Sequence, residues 1–398
     1  MLRYQNFFLL TVAALIFLLA WPRFSGAAEP GLESIRERLV KEAIATELQK
    51  NALTVNQQGQ GPYTAPMEAG LTLIYTLDPC LQEAISKYFE TVSPPYAAFV
   101  AVEPRTGRVL AMVDYPQKGL SLKATYPAAS LFKLVTAAAA LEKGKISPST
   151  KIKYRGQPHG LTQADLKENP KKDRKVTTFK EALGTSNNVV FARLTLKMLG
   201  AETLKKYAEA FRFNRPIEFD LPVQASQAQI PNEPYALART GAGYQDVTIS
   251  PLHAALLAAA IANDGVMVRP RLVDKVVADG ETIYQTKPRS LGQVIAAKTA
   301  RELREMMEET ITKGTSSRAF RLFSQAYASE EVRIGGKTGT LIGTDPKGRY
   351  DWFVGLAPLD NPRIAVAALV INIGGKNSIK GTQLALEAFK IYFQGKRC

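Results

Sequence analysis

The 398-residue chain has only two cysteines and two histidines, and each scarcity removes a class of chemistry. Cys80 and Cys398 allow one disulfide at most, so cross-links cannot form a scaffold, and so small a count says nothing of the redox compartment. A histidine-based zinc site or a Ser-His-Asp triad would have to use His159 or His253, and neither stands in a recognisable setting. His253 lies in the small-residue run Ser250-Pro251-Leu252-His253-Ala254-Ala255, which suits a packed imidazole. Zinc-ligand spacing, an aromatic RNA-binding signature and a Lys/Arg-rich recognition helix are all missing, so nucleic acid is not expected as a partner despite a net charge of +15. Repeats at solenoid periods are missing too.

What is present is a chain long enough for one large domain or two ordinary ones, with 46% hydrophobic residues to fill a core. The first 28 residues hold only Arg3 and Arg23 among the cations, so the positive charge belongs to the folded part. Its densest run, Lys171, Lys172, Arg174 and Lys175, follows Pro170, is interrupted by Asp173 and reads as a solvated loop.

Arg3 precedes an apolar run from Phe7 to Trp21, and Ser25-Gly26-Ala27 offers small residues for a signal peptidase. The run is short for a bilayer span of about 20 residues, but its flanks can extend it. Residues 1–28 therefore read as a signal peptide or a retained anchor, and the rest as exported. Residues 29–70 read as a short helix (33–50) and a Gln/Gly-rich linker, Asn56–Gly61; the main domain is expected over 71–398.

Within that domain, strand patterns fall at Leu71–Thr76, Tyr96–Val102, Arg108–Val113, Val332–Lys337, Trp352–Leu356 and 364–373, with a turn-rich segment at Gly343–Arg349. Helices are expected at Asp78–Phe89, Ala129–Lys143, Val189–Leu199, Pro251–Ala262, Ala300–Thr312 and Gln383–Phe393. Strands flank a helical middle, which predicts a largely antiparallel sheet covered by helices in place of alternating βαβ units.

Ser130-Leu131-Phe132-Lys133 opens the clearest helix, and a separation of three puts serine and lysine on one face a turn apart. A serine hydroxyl needs a base, and lysine serves as one only when neutral; burial, the helix dipole and a second cation all favour that state. The plain alternative is a helix-start serine and a solvent-facing lysine. Ser186-Asn187-Asn188 precedes an apolar helix, as an N-cap or as the polar wall of a site. Lys337-Thr338-Gly339-Thr340 follows a strand; Gly335, Gly336 and Gly339 would leave room for another backbone, and the lysine and hydroxyls suit a carboxylate. A phosphate-binding loop is excluded, because Glu331 stands where that motif needs a glycine.

Ser-x-x-Lys, Ser-x-Asn and Lys-Thr-Gly in this order resemble the three active-site motifs of penicillin-binding proteins and related serine β-lactamases. The stretches 96–112, 243–252, 261–265 and Asp351-Trp352-Phe353-Val354-Gly355 resemble the transpeptidase domains in particular. The resemblance implies a mixed α/β (α+β) domain with a five-stranded antiparallel sheet and the site at an edge strand. It implies Ser130 as nucleophile toward D-Ala-D-Ala stem peptides of peptidoglycan, Lys133 as base, and Ser186 and Asn188 as proton relay and peptide holder. Lys337, Thr338 and Thr340 would hold the substrate carboxylate beside Gly339, and the N–H groups of Ser130 and Thr340 would form an oxyanion hole. β-Lactams would inhibit, and no metal or organic cofactor is required. Residues 29–70 leave no room for the glycosyltransferase domain of bifunctional members or the pedestal of most others. The expected activity is peptidoglycan D,D-transpeptidation outside the cytoplasmic membrane, with membrane association. A D,D-carboxypeptidase, a β-lactamase or a non-catalytic penicillin sensor of the same fold remain as alternatives.

Overall fold

A computed structural model describes residues 30–51, 61–244, 247–326, 332–374 and 379–394. Its main sheet has five strands: β1 (Tyr96–Val102), β2 (Val109–Tyr115), β3 (Gly335–Thr344), β4 (Lys347–Ala357) and β5 (Ile364–Asn372). They lie in the order β3-β4-β5-β1-β2 and every neighbouring pair is antiparallel. β1 and β5 are internal and buried at almost every position, as their unbroken Ala/Val/Ile/Leu runs require of strands covered on both faces. Because side chains alternate, Phe99, Phe353, Val366 and Ala368 share one core with Leu81, Ile85 and Phe89 of the helix Pro79–Val92.

Five helices position the site: α1 (Lys133–Glu142), α2 (Asn188–Leu194), α3 (Pro251–Ala262), α4 (Ala297–Thr312) and α5 (Gly381–Gln394). The core around Phe99 and Phe353 also takes Leu384, Ala388 and Phe389 from α5. α3 is buried at all twelve positions and packs on β5, β4 and β1 without joining that core, which puts it on the sheet's other face. His253 within it is fully buried, its Nε2 lies 2.6 Å from the Phe211 carbonyl, and burial pulls its pKa down to about 4, so the imidazole is a neutral core group.

The chain divides into two compact units. The larger holds the five-stranded sheet. The smaller comprises the described residues up to Pro79 with Phe219–Leu221 and Arg271–Lys287. It contains a four-stranded antiparallel sheet of Thr64–Pro66, Leu71–Tyr75, Val273–Ala278 and Glu281–Gln285. The Asp220 carboxylate accepts from the N–H groups of Leu272 (2.6 Å) and Val273 (3.0 Å) there.

Several expectations are corrected. The helix expected over Ala129–Lys143 begins as a 3₁₀ turn, Ala129–Phe132, and becomes α-helical at Lys133. The Lys337 motif does not follow a strand but lies inside one, and the turn-rich segment shrinks to Asp345-Pro346 between Thr344 and its partner Lys347. Gly336 leaves room for the Phe353 ring and Ile311, side chains in place of the expected backbone, whereas Gly335 also faces the Arg304 carbonyl and Gly339 the Ala128 carbonyl. The early helix spans Pro30–Asn51, while residues 1–28 and linker residues 56–60 lie outside the described part. No helix among the described residues is long and apolar enough to cross a membrane.

Candidate active site

In a 3₁₀ turn the side chains at i and i+3 eclipse one another. Ser130 lies in such a turn and Lys133 ends it, so the Lys133 Nζ comes within 2.8 Å of the Ser130 Oγ. The same nitrogen lies 2.7 Å from Asn188 Oδ1 and 2.5 Å from the Ala242 carbonyl. Lys133 is fully buried, and burial, followed by the charge of Lys337, holds it well below the ordinary lysine range. The identities of its partners then decide the chemistry. Two of them, an amide oxygen and a carbonyl oxygen, only accept. A neutral amine has two N–H groups and one lone pair, so giving both hydrogens to these oxygens turns the lone pair toward the Ser130 hydroxyl.

The Asn188 orientation is itself fixed, because its Nδ2 donates to the His159 carbonyl (2.8 Å) and to Tyr244 Oη (2.7 Å). Tyr244 donates in turn to the His159 carbonyl, at 3.1 Å. The cap of α2 is Asn187, whose Oδ1 accepts from the Val190 N–H, and that leaves Ser186 and Asn188 to face the site. Ser186 occupies the left-handed region, with φ of 57°. A non-glycine residue there stores strain on the order of 1–3 kcal/mol, and its Oγ lies 3.0 Å from Lys337 Nζ. Lys337, in β3, is also fully buried, donates to the Thr338 carbonyl at 2.9 Å, and is pulled by burial down to about 7.

Above the two lysines opens a cleft of about 310 Å³. Ser130, Ser186, Asn188, Thr338, Gly339 and Thr340 line it, while Lys133 and Lys337 lie beneath its surface. All eight residues singled out from the sequence therefore converge. Others also shape the site, with no role assigned to them from the sequence. Thr315 shares a 2.6 Å hydrogen bond between its Oγ1 and that of Thr338, and its N–H donates to the Gly184 carbonyl. Asp351, buried, accepts from Thr340 Oγ1 (3.1 Å), Arg349 (3.0 Å) and Asn372 Nδ2 (3.1 Å). The Thr340 hydroxyl proton is thus committed to Asp351, and the threonine offers the cleft a lone pair.

Gly243 closes the site from behind. Its φ is +80°, and a Cβ there would lie 2.5 Å from the Ala129 carbonyl oxygen and 2.9 Å from the Ser130 Cα. Gly243→Ala should therefore displace the serine turn. We expect a stability loss of about 1–3 kcal/mol and an acylation rate at least tenfold lower, read by thermal melting and by penicillin labelling kinetics. An alanine variant that labels at the wild-type rate would show that this contact does not hold Ser130 in place.

A model of the penicillin-binding protein transpeptidase domain matches residues 97–388. Peptidoglycan D,D-transpeptidase PbpA of Mycolicibacterium smegmatis is 31% identical over 333 residues, covering 73% of this chain and 65% of that protein. PbpA of Mycobacterium tuberculosis is 30% identical over 350 residues, 78% of this chain and 69% of that one. The chain thus spans about two thirds of the length of these relatives. Among solved structures, the ceftriaxone acyl-enzyme complex of penicillin-binding protein A from Mycobacterium tuberculosis superposes with a TM-score of 0.65 at 27% identity, covering 81% and 79% of the two chains. The D,D-transpeptidase domain of a peptidoglycan glycosyltransferase from Eggerthella lenta gives 0.68 at 25%, covering 87% and 91%.

Proposed function

Since the chain belongs to the penicillin-binding protein transpeptidase family, we propose that it is a peptidoglycan D,D-transpeptidase whose nucleophile is Ser130. The observation that carries this reading is the buried amine of Lys133, aimed at the Ser130 hydroxyl by two partners that only accept. Neutral Lys133 takes the Ser130 proton as Oγ bonds to the penultimate D-Ala carbonyl carbon. The N–H groups of Ser130 and Thr340 stabilise the oxyanion, normally the largest electrostatic contribution. Collapse breaks the peptide bond, the terminal D-Ala leaves with a proton relayed through Ser186, and an ester remains on Ser130. An amine from a second stem peptide then attacks the ester, loses its proton to the same relay and restores the hydroxyl. Asn188 holds the peptide, while Lys337 and Thr338 hold the departing residue's carboxylate; Thr340, expected to share in that, gives its hydroxyl proton to Asp351 and serves through its N–H. Export, with residues 1–28 as signal or anchor, is part of the proposal and rests on Arg3 and the apolar run Phe7–Trp21.

Incubating the protein with a D-Ala-D-Ala pentapeptide and an amine acceptor, and weighing the products, tests the choice of acceptor. Free D-Ala together with the amide-linked product is expected. D-Ala with the hydrolysed tetrapeptide alone would make the protein a carboxypeptidase. Intact-protein mass spectrometry should also show a penicillin adduct on Ser130 that persists for many minutes. An adduct lost within seconds while drug is consumed would make it a β-lactamase.

A further inference from the structure

We propose that the segment Lys151–Thr178 forms a cationic ridge that docks the anionic polymer carrying the substrate, an inference that rests on the transpeptidase reading. Lys151–Tyr154 and Lys175–Thr178 pair as a two-stranded antiparallel ribbon. Alternation turns Ile152 and Thr177 inward and leaves Lys151, Lys153 and Val176 exposed, with Val176 opposite Lys153. The basic run beside the second strand reads in sequence as broken by Asp173, and the fold removes that break. Asp173 is 5% exposed and turned inward, where Arg193 holds it through bonds of 2.9 and 3.0 Å.

The other two carboxylates of the segment are also occupied. Asp165 accepts from Thr162 and lies 3.7 Å from Arg155, and Glu168 pairs with Lys197. Asp165 and Asp173 are thus committed to arginines and Glu168, half exposed, is shared with Lys197, so the exposed Lys151, Lys153, Lys167, Lys171 and Lys172 outnumber the carboxylate near them. The ridge is also continuous with the cleft. Lys175 Nζ donates to the Gly156 carbonyl, the Pro158 carbonyl accepts from the Asn188 N–H, and His159 lines the cleft wall. A strand whose peptide reaches Ser130 thus leaves past a row of cations in excess of the carboxylates around them. That field favours a polymer bearing carboxylates or phosphates, raising its local concentration and its rate of encounter.

The test uses the full chain with Lys151, Lys153, Lys171 and Lys172 all changed to glutamine. None of the four touches the cleft, so the rate of acylation by soluble penicillin should stay unchanged and reports that the fold is intact. Sedimentation with insoluble peptidoglycan should show affinity at least tenfold weaker at low ionic strength, with a flatter dependence on salt. The four-arginine variant should bind as the wild type. Peptidoglycan whose carboxylates have been amidated, or whose phosphate polymers have been stripped by acid, identifies which anion is read. Equal sedimentation of the glutamine variant and the wild type would overturn the proposal. So would a loss seen only with vesicles of phosphatidylglycerol, which would make the ridge a membrane contact. A wild-type protein that takes no penicillin would instead remove the transpeptidase reading.

Discussion

Ser130→Ala is expected to leave no covalent penicillin adduct at any time or drug concentration. The ester can form only at an oxygen held against the base, and Ser130 Oγ is the hydroxyl 2.8 Å from Lys133 Nζ. Ser186 cannot substitute while Lys337 is charged, because its oxygen then accepts from an ammonium group and meets no base. Truncation removes one oxygen from a 3₁₀ turn and leaves its packing intact, so the variant should melt near the wild-type temperature. An adduct mapped to another residue, or labelling that survives in Ser130→Ala, would refute the assignment.

Lys133→Arg and Lys337→Arg should part company, although each exchanges one cation for another. Guanidinium keeps its proton at any ordinary pH, so arginine at 133 removes the base, and acylation should fall by about 10²–10⁴-fold. Arginine at 337 keeps a positive charge for the substrate carboxylate and should lose far less. The pH dependence of kcat/KM separates the two further. Lys133 must be neutral, so the rate falls on the acid side as it takes up a proton, at a pH well below the usual lysine value. Lys337 must be charged, so the rate falls on the alkaline side as it loses its proton, near pH 7 in the free protein. Lys337→Arg should abolish the alkaline limb and keep the acid one. Equal losses in the two variants, or an alkaline limb unmoved in Lys337→Arg, would contradict these roles.

The parts of the site that the sequence reveals are those fixed by local spacing. Ser130 with Lys133, Ser186 with Asn188, and the Lys337 run each lie within one turn or one strand, where a repeat of three or two determines which side chains meet. Thr315 with Thr338 and Tyr244 with Asn188 meet only through the tertiary path. Asp351 and Thr340 stand opposite each other in the β3–β4 hairpin, a pairing hidden only because the expected turn was drawn too wide. The 3₁₀ start at Ser130 is hidden for a different reason, since Ala-Ser-Leu-Phe is as compatible with α as with 3₁₀ geometry. The full length of β3 is masked because Gly335, Gly336, Gly339 and Gly343 resemble a turn, yet unbroken pairing with β4 from Gly335 to Thr344 overrides that weak propensity. The hairpin Val273–Gln285, by contrast, carries a local signal. Asp279-Gly280, both at positive φ between Ala278 and its partner Glu281, is the two-residue turn that such a pair favours.

Gly243 also bears on how this protein can change under selection. Because its backbone presses on the Ala129 carbonyl and on the Cα of the nucleophile, no side chain at that position escapes collision, and the back of the serine turn is closed to gradual variation. Thr315, Leu341 and Arg349 line the same cleft from partly or fully exposed positions, where a larger side chain can extend into solvent even as the bonds of Thr315 to Thr338 and Arg349 to Asp351 are lost. Adaptation to a new inhibitor or a new stem peptide is therefore channelled to the rim, and the chemistry of acylation is inherited unchanged while its selectivity drifts.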